Sequence, residues 1–339
     1  MKTNLTPKPK AFGKMNQVNI IADATIYDSP VKDSLENYFE SAYPVMPSPE
    51  PMFDLRYFTM EDIQADKLKK ELRSYIILVN IDDLNSPITK MLQQDLGSEN
   101  FRQVQGDSKK NNIAYGLDKW AQGQIVIYLM GRGMEGITSA IRTQYPNVAK
   151  RFNDHDEEQL HANLYGSAGV NSEGNIAIKD SFGIDLSLPS SFKRSKTIDN
   201  ANFIWFVRDL REATQHIVVR KFPYTSDSQF TKQSVIDMRN EYGAKYISSQ
   251  SKGSYMVTQD KLLPVFEYNA TIGKAYAKEF RGVWELENDF KGGPFVTFLI
   301  KNEAKKEIIF VDCFVYGPGS EKRDAVQQLA YIVKKAKLI

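Results

Sequence analysis

Apolar and polar residues alternate most regularly between Phe280 and Phe298, FRGVWELENDFKGGPFVTF. Phe280, Gly282, Trp284, Leu286, Asn288 and Phe290 share one side of an extended chain, and Arg281, Val283, Glu285, Glu287 and Asp289 share the other. A period of two predicts a half-buried strand with its aromatic side inward. Lys291-Gly292-Gly293-Pro294 interrupts the run, because paired glycines permit positive φ and proline cannot donate to a ladder. Phe295 to Ile300 then resumes it. The pattern predicts an antiparallel hairpin that turns at those glycines.

The first half of the chain is patterned differently. Gln17–Asp23 is a short apolar strand, Met52–Tyr57 another. Tyr75–Ile81 (YIILVNI) and Gln124–Met130 (QIVIYLM) are near-continuous apolar runs, as in strands covered on both faces. Ser29-Pro30 supplies a helix start, serine as cap and proline first, and Val31, Leu35, Tyr38 and Phe39 follow at helical spacing. Pro44, Pro47, Pro49 and Pro51 end that helix in a stiff extended loop. Glu61–Leu72 reads as a charged surface helix. Strands separated by helices predict an α/β layer.

After a glycine-, serine- and asparagine-rich stretch, Tyr165–Asp180, the second half reads as antiparallel sheet with helices. Its strands are Phe182–Leu188, Asn202–Arg208, Gln215–Lys221, Ser254–Thr258, Val265–Thr271, the hairpin and Glu307–Tyr316. Thr231–Tyr246 is an amphipathic helix. A final helix follows Gly317-Pro318-Gly319, with Ser320 as its expected cap and Ala325, Leu329, Ile332 and Ala336 as its apolar stripe. The predicted division is a flexible tether over 1–14, an α/β domain over 15–165, a linker over 166–180 and an antiparallel-sheet α+β domain over 181–339.

Composition adds constraints. At 339 residues the chain has room for two domains, and a net charge of +2 gives no electrostatic reason to expect nucleic acid as a partner. The single cysteine, Cys313, lies in an apolar strand pattern and is expected to be a buried, inert thiol. One cysteine and three histidines make a zinc site improbable, and neither a metal nor a cofactor is expected. His155 and His161 lie too far apart to share a helix face and are expected at the surface. No run has the length of a membrane-spanning helix, and Met1–Lys14 lacks the apolar core of a signal peptide. Two locations stay open: cytoplasm, or export with the signal already removed.

Three patterns invite chemistry. Glu285, Glu287 and Asp289 lie at steps of two on one strand face, roughly 6–7 Å apart. They are candidate cation ligands or an acid/base pair for glycoside hydrolysis. The plainer reading is a solvated face paired with Lys274, Lys278 or Lys301. Asp312 shares a strand face with Ile308, Phe310 and Phe314, so it must be neutral or paired if buried. Gly131-Arg132-Gly133-Met134-Glu135-Gly136 matches the glycine fingerprint of dinucleotide-binding turns, between a strand and a helix. The wider context fails, since Asp154, Asp156, Glu157 and Glu158 fall on a polar helix rather than at a strand end.

Pro47–Phe53 (PSPEPMF), Phe222-Pro223-Tyr224, Gly253-Ser254-Tyr255-Met256, RGVWELENDFKGGPF and VDCFVYGPGSEKR together resemble the family called domain of unknown function 4837, uncharacterised bacterial envelope proteins. The resemblance spans nearly the whole chain after the tether. It implies a signal and a lipid-modified cysteine, neither of which this chain carries, so the start would be the remnant of a lipid tether. It supplies no catalytic residues. The second half also has a fold-level likeness to PsbP/Mog1-type α+β domains, which serve as accessory or binding modules.

The sequence therefore predicts a mixed α/β and α+β chain acting as a non-catalytic, lipid-anchored envelope module that engages envelope or outer-membrane proteins. Its expected contact residues are Trp284, Glu285, Glu287, Asn288, Asp289, Phe290 and Lys291. The rival reading is a hydrolase of glycan or cell wall using Glu285, Glu287 or Asp312. A third is a nucleotide-binding protein using Gly131–Gly136.

Overall fold

The two apolar runs of the first half lie side by side. In the computed structural model, which describes residues 7–166, 168–195 and 202–339, they are parallel neighbours within a five-stranded sheet. The chain divides into two units, the first comprising Met1–Ala42 and Pro51–Leu160, the second Tyr43–Glu50 and His161–Ile339.

In chain order the first sheet and its helices are β1 (Gln17–Ile21), α1 (Ala24–Tyr27), α2 (Pro30–Phe39), β2 (Asp54–Phe58), α3 (Met60–Ala65), β3 (Ser74–Asn80), α4 (Pro87–Gly106), β4 (Ile113–Leu117), β5 (Ile125–Gly131) and α5 (Gly133–Tyr165). The strand order is β2-β1-β3-β5-β4, all parallel but for β4. Side chains alternate between two cores. Val18, Ile20, Ile76, Leu78, Ile127 and Leu129 pack with Val31, Leu35 and Phe39 of α2 and Ile137, Ile141 and Phe152 of α5. Tyr75, Ile77, Val79, Val126 and Tyr128 pack with Ile88, Leu92, Phe101 and Val104 of α4. Burial on both faces is why β3 and β5 read as unbroken apolar runs.

The second unit holds α6 (Ser172–Phe182), β6 (Ile184–Asp185), β7 (Lys193–Arg194), β8 (Phe203–Asp209), β9 (Thr214–Pro223), α7 (Lys232–Tyr246), β10 (Tyr255–Gln259), β11 (Phe266–Ile272), β12 (Ala275–Glu287), β13 (Gly292–Asn302), β14 (Glu307–Tyr316), α8 (Arg323–Lys334) and β15 (Lys337–Leu338). Eight strands form one sheet in the order β10-β12-β13-β14-β9-β8-β7, with β11 also paired to β12, and every pair is antiparallel. On the α7 side Phe280, Trp284, Leu286, Phe295, Phe310 and Phe314 meet Val235 and Tyr242 in a single core.

Several boundaries differ from expectation. Pro9–Phe12, assigned to the tether, is hydrogen-bonded into the first unit: Ala11 N donates to Gln122 O (2.8 Å) and Phe12 N to Glu71 O (2.9 Å). Residues 1–6 of that segment lie outside the described residues. The expected linker contains α6, capped by the Asn171 side chain, so the 182–188 strand shrinks to β6. The proline loop is more than a connector, because Tyr43–Glu50 belongs to the second unit. α4 and β4 lie in a stretch with no predicted element; Gly97 (φ 76°, ψ 162°) breaks α4 and blurs its helical period.

Candidate functional site

The hairpin exists, but its turn precedes the glycines. β12 ends at Glu287, and the chain reverses over Asn288–Lys291 with Asn288 left-handed (φ 58°). Leu286 N donates to Lys291 O (2.8 Å) and Asp289 N to Leu286 O (3.2 Å), closing the turn. Gly292 and Gly293 are strand residues paired with Glu285 and Trp284. Their glycine requirement is close approach: a Cβ on Gly293 would stand 2.0 Å from Val315 O, and one on Gly292 2.7 Å from Trp284 O. The space at Gly293 lets the Trp284 indole N–H reach Val315 O (3.2 Å).

The seven expected contact residues separate by depth. Trp284 is core, 3% exposed and edge-on to Phe314 at 5.5 Å, so it supports the hairpin and is no contact surface. Glu285 accepts from Gln259 Nε2 at 2.7 Å and is half-buried. Glu287 is exposed at the end of β12, and Asn288 Nδ2 donates to Gly253 O (3.2 Å). Asp289 accepts from Phe290 N (2.7 Å) and lies 4.0 Å from Lys291 Nζ. A hydrogen bond from Ser249, then those from Phe290 N and the charge of Lys291, hold its carboxyl below the usual range. Phe290 is fully exposed at the tip. Lys291 Nζ lies 5.8 Å from the Tyr316 ring centroid.

The carboxylates do not form one site. Two of the three expected lysine partners are engaged elsewhere, Lys278 with Glu267 and Lys301 with Asp227 and Glu303. Among the described residues no three His, Cys, Asp or Glu are grouped to hold a metal ion. Asp312 lies on β14 inside the α7 core, fully buried, and accepts hydrogen bonds from Arg239, Tyr242 and Thr297. Arg239 is equally buried; its Nε donates to Thr258 Oγ1 (3.3 Å), and its guanidinium lies 3.6 Å from the Phe295 ring centroid. Gly282 makes room for that ring, since a Cβ there would stand 2.5 Å from it. Burial, with the Asp312 charge, pushes the Tyr242 hydroxyl well above its ordinary value and keeps it a donor. The same two causes raise the Cys313 thiol, which is buried as expected.

The glycine turn is also structural. A Cβ on Gly131 would stand 2.1 Å from the Gly136 carbonyl carbon, so the glycines let β5 and α5 touch. Asn80 Oδ1 accepts from Gly133 N (2.9 Å) at the start of α5. Asp156, one of the four acidic residues that follow the fingerprint, accepts from Asn16 N (2.8 Å) and Arg73 (3.1 Å). His155 is half-buried rather than on the surface, and burial followed by the Arg73 charge lowers its pKa.

Sequence reasoning missed a second polar assembly, on the α8 side of the sheet. Glu50 accepts from Lys322 N (2.9 Å) and Arg323 N (2.6 Å), capping α8 from the proline loop. Ser320, the expected cap, bonds Glu212 O and Gly317 O instead. Glu279 pairs with Arg281 (2.6 Å) and Lys334 (2.9 Å), and Arg281 also donates to Tyr43 Oη (2.8 Å). Burial pushes the Glu279 carboxyl up, but the two cations outweigh it and its pKa lies below the ordinary value. No local signal marks Tyr43 or Glu50, because their partners lie more than 200 residues away. An open cavity of about 260 Å³ among Asn171, Glu173, Phe192, Lys193, Arg194 and Phe206 completes the candidates; Asn171 is already used there, as the α6 cap and as a donor to Phe192 O (2.7 Å).

Comparison with known proteins follows the same division. Residues 11–165 match the family described as domain of unknown function (DUF8532), so the PSPEPMF motif falls outside the family resemblance drawn from the sequence. No curated protein matches the chain. Among solved structures the chain is similar to the Ran-binding protein Mog1p of Saccharomyces cerevisiae, with 14% identity over 46% of this chain and 90% of that one and a TM-score of 0.30. A point mutant of Mog1 is similar at 14% identity, 46% and 91% coverage and a TM-score of 0.29. Residues 171–335 match the family described as domain of unknown function (DUF4837).

Proposed function

We propose that this chain is an accessory binding module of the bacterial cell envelope, lipid-anchored at its N-terminus, that engages envelope or outer-membrane proteins through the β12–β13 tip. The observation that carries the reading is Phe290, a fully exposed aromatic side chain held on a closed turn. Beneath it the strands are fixed by Trp284 and the Gly293 approach. A rigidly based aromatic with a polar surround has the anatomy of a binding anchor, and Glu287, Asn288, Asp289 and Lys291 supply that surround. Trp284 and Glu285 act from below, as supports. The hydrolase reading loses its strongest carboxylate, since the Asp312 charge is matched inside the core by Arg239.

The test is chemical crosslinking of the full-length precursor in cells, comparing the native chain with a Phe290→Ala, Lys291→Ala double variant. Native chain is expected to capture one reproducible envelope protein from membrane fractions, and the folded double variant to lose most of that product. Equal capture by both removes the tip as the contact. Native chain found soluble and without a crosslinked product removes the envelope reading itself.

A further inference from the structure

One edge of the second sheet is shared by two strands. β10 pairs with Val283–Glu287 of β12, and β11 with Ala275–Arg281. The two halves of this edge are finished differently. Outward N–H groups of β10 are taken up: Met256 N donates to Ile247 O (2.9 Å) and Thr258 N to Asn240 Oδ1 (2.7 Å). β11 has β12 on one side, and among the described residues no strand pairs with the other. Phe266, Glu267, Tyr268 and Asn269 are all exposed, and Leu262 just before them is 85% exposed.

Exposed edges are ordinarily kept short or defended with lysine, proline or a bulge, because open N–H and C=O groups template a further strand. The far edge of the same sheet obeys this, being only Lys193–Arg194. β11 is seven residues, FEYNATI, without lysine, arginine or proline. Its one charge, Glu267, has Lys278 at 3.4 Å.

We propose that β11 pairs antiparallel with β11 of a second copy of this chain, joining the two sheets across a two-fold axis at Asn269. Residues opposite each other in such a pair share a face, so the axis must pass through a residue rather than between two. With Asn269 on the axis, Tyr268 faces Ala270 and Glu267 faces Thr271 of the other copy, and the pairing ends there because Ile272 is fully buried within its own chain. The bulky Tyr268 meets the small Ala270, and no charge meets its like. The two Glu267 side chains stand four strand positions apart, roughly 13 Å, beyond the screening length at physiological salt. Any extended peptide would satisfy the backbone of β11; the match of its side chains to themselves selects a second copy.

Sedimentation of the full chain tests this with Asn269→Lys and Asn269→Asp. The native chain is expected to be dimeric at micromolar concentration. Each variant alone is expected to dimerise at least about tenfold more weakly, since like charges then meet on the axis. An equimolar mixture of the two is expected to regain the dimer, which also establishes that both are folded. A native chain that stays monomeric at about 100 μM, a scale at which specific interfaces are populated, overturns the proposal. So does an Asn269→Lys variant as dimeric as the native chain, or a mixture of folded variants that fails to recover.

Discussion

The two sides of the second sheet both bury charge, in opposite ways. On the α7 side Asp312 and Arg239 are sealed from solvent, and each spends its hydrogen bonds on Tyr242, Thr297, Thr258 and the other. On the α8 side Glu279 lies beneath Arg281 and a half-exposed Lys334, while Glu50 reaches α8 from a distant loop. The difference shows what each charge is for. A sealed pair recovers its desolvation cost only when every partner is in place, so it selects one packing of α7 on the sheet. The α8-side carboxylates are buried too, Glu279 at 5% and Glu50 at 7% exposure, but they act as ties, holding α8 at both ends and bringing Tyr43–Glu50 onto it.

Breaking the sealed pair should have the largest effect. Asp312→Ala leaves Arg239 buried and uncompensated and should cost about 3–5 kcal/mol in chemical unfolding. Replacing both, as Arg239→Met with Asp312→Leu, should cost clearly less than the sum of the single changes, because no orphan charge remains. Additive losses would show that the two side chains contribute independently.

His216 sharpens the contrast by titration. It stacks on Phe314 at 4.4 Å on the α7 side, and burial pushes its pKa down to about 4. A depressed value means that the unfolded chain takes up its proton first as pH falls. The stability is therefore full above pH ~6.5 and is lost toward pH 4, by up to about 3 kcal/mol. Thermal unfolding of native chain and His216→Gln across that window should converge toward its acid end. Parallel curves would mean that His216 is already protonated in the folded state or stays neutral in both.

The smallest effect belongs to the α8 side. Glu50→Ala removes a carboxylate from two backbone N–H groups at the start of α8 and should cost about 1–2 kcal/mol, as for a lost helix cap. Glu50→Gln keeps an acceptor without the charge and should lose roughly half of that. Hydrogen exchange of the first turn of α8 reads the change locally, and unaltered protection there would show that α8 does not need the loop.

What the sequence made legible follows the range of the interactions. β3, β5 and the alternation of Phe280, Trp284 and Leu286 were visible because burial writes a local period. The Ser29-Pro30 start of α2 was visible for the same reason: Ser29 Oγ accepts from Val31 N, two residues on. Gly292 and Gly293 were misplaced as a turn because glycine signals permissive φ in sequence, whereas their constraint is Trp284 and Val315 across the sheet. Ser320 was the nearest cap in sequence and Glu50 the nearest in space. Asp312 was legible as a residue in need of a partner, but Arg239 was not, since the α7 stripe drew attention only to its apolar members. The exposure of Phe290 also escaped the alternation rule, which ends where the strand ends.

Glu50 is made 272 residues before the backbone N–H of Lys322 that it binds. At ribosomal speeds of about 5–20 residues per second, that interval is roughly 15–50 s. Tyr43–Glu50 leaves the ribosome after β1 and before the other four strands of the first sheet, and its own docking place is synthesised only after all of them. The closing of the second unit thus waits on translation, and its last helix completes a contact whose other half was made 272 residues earlier.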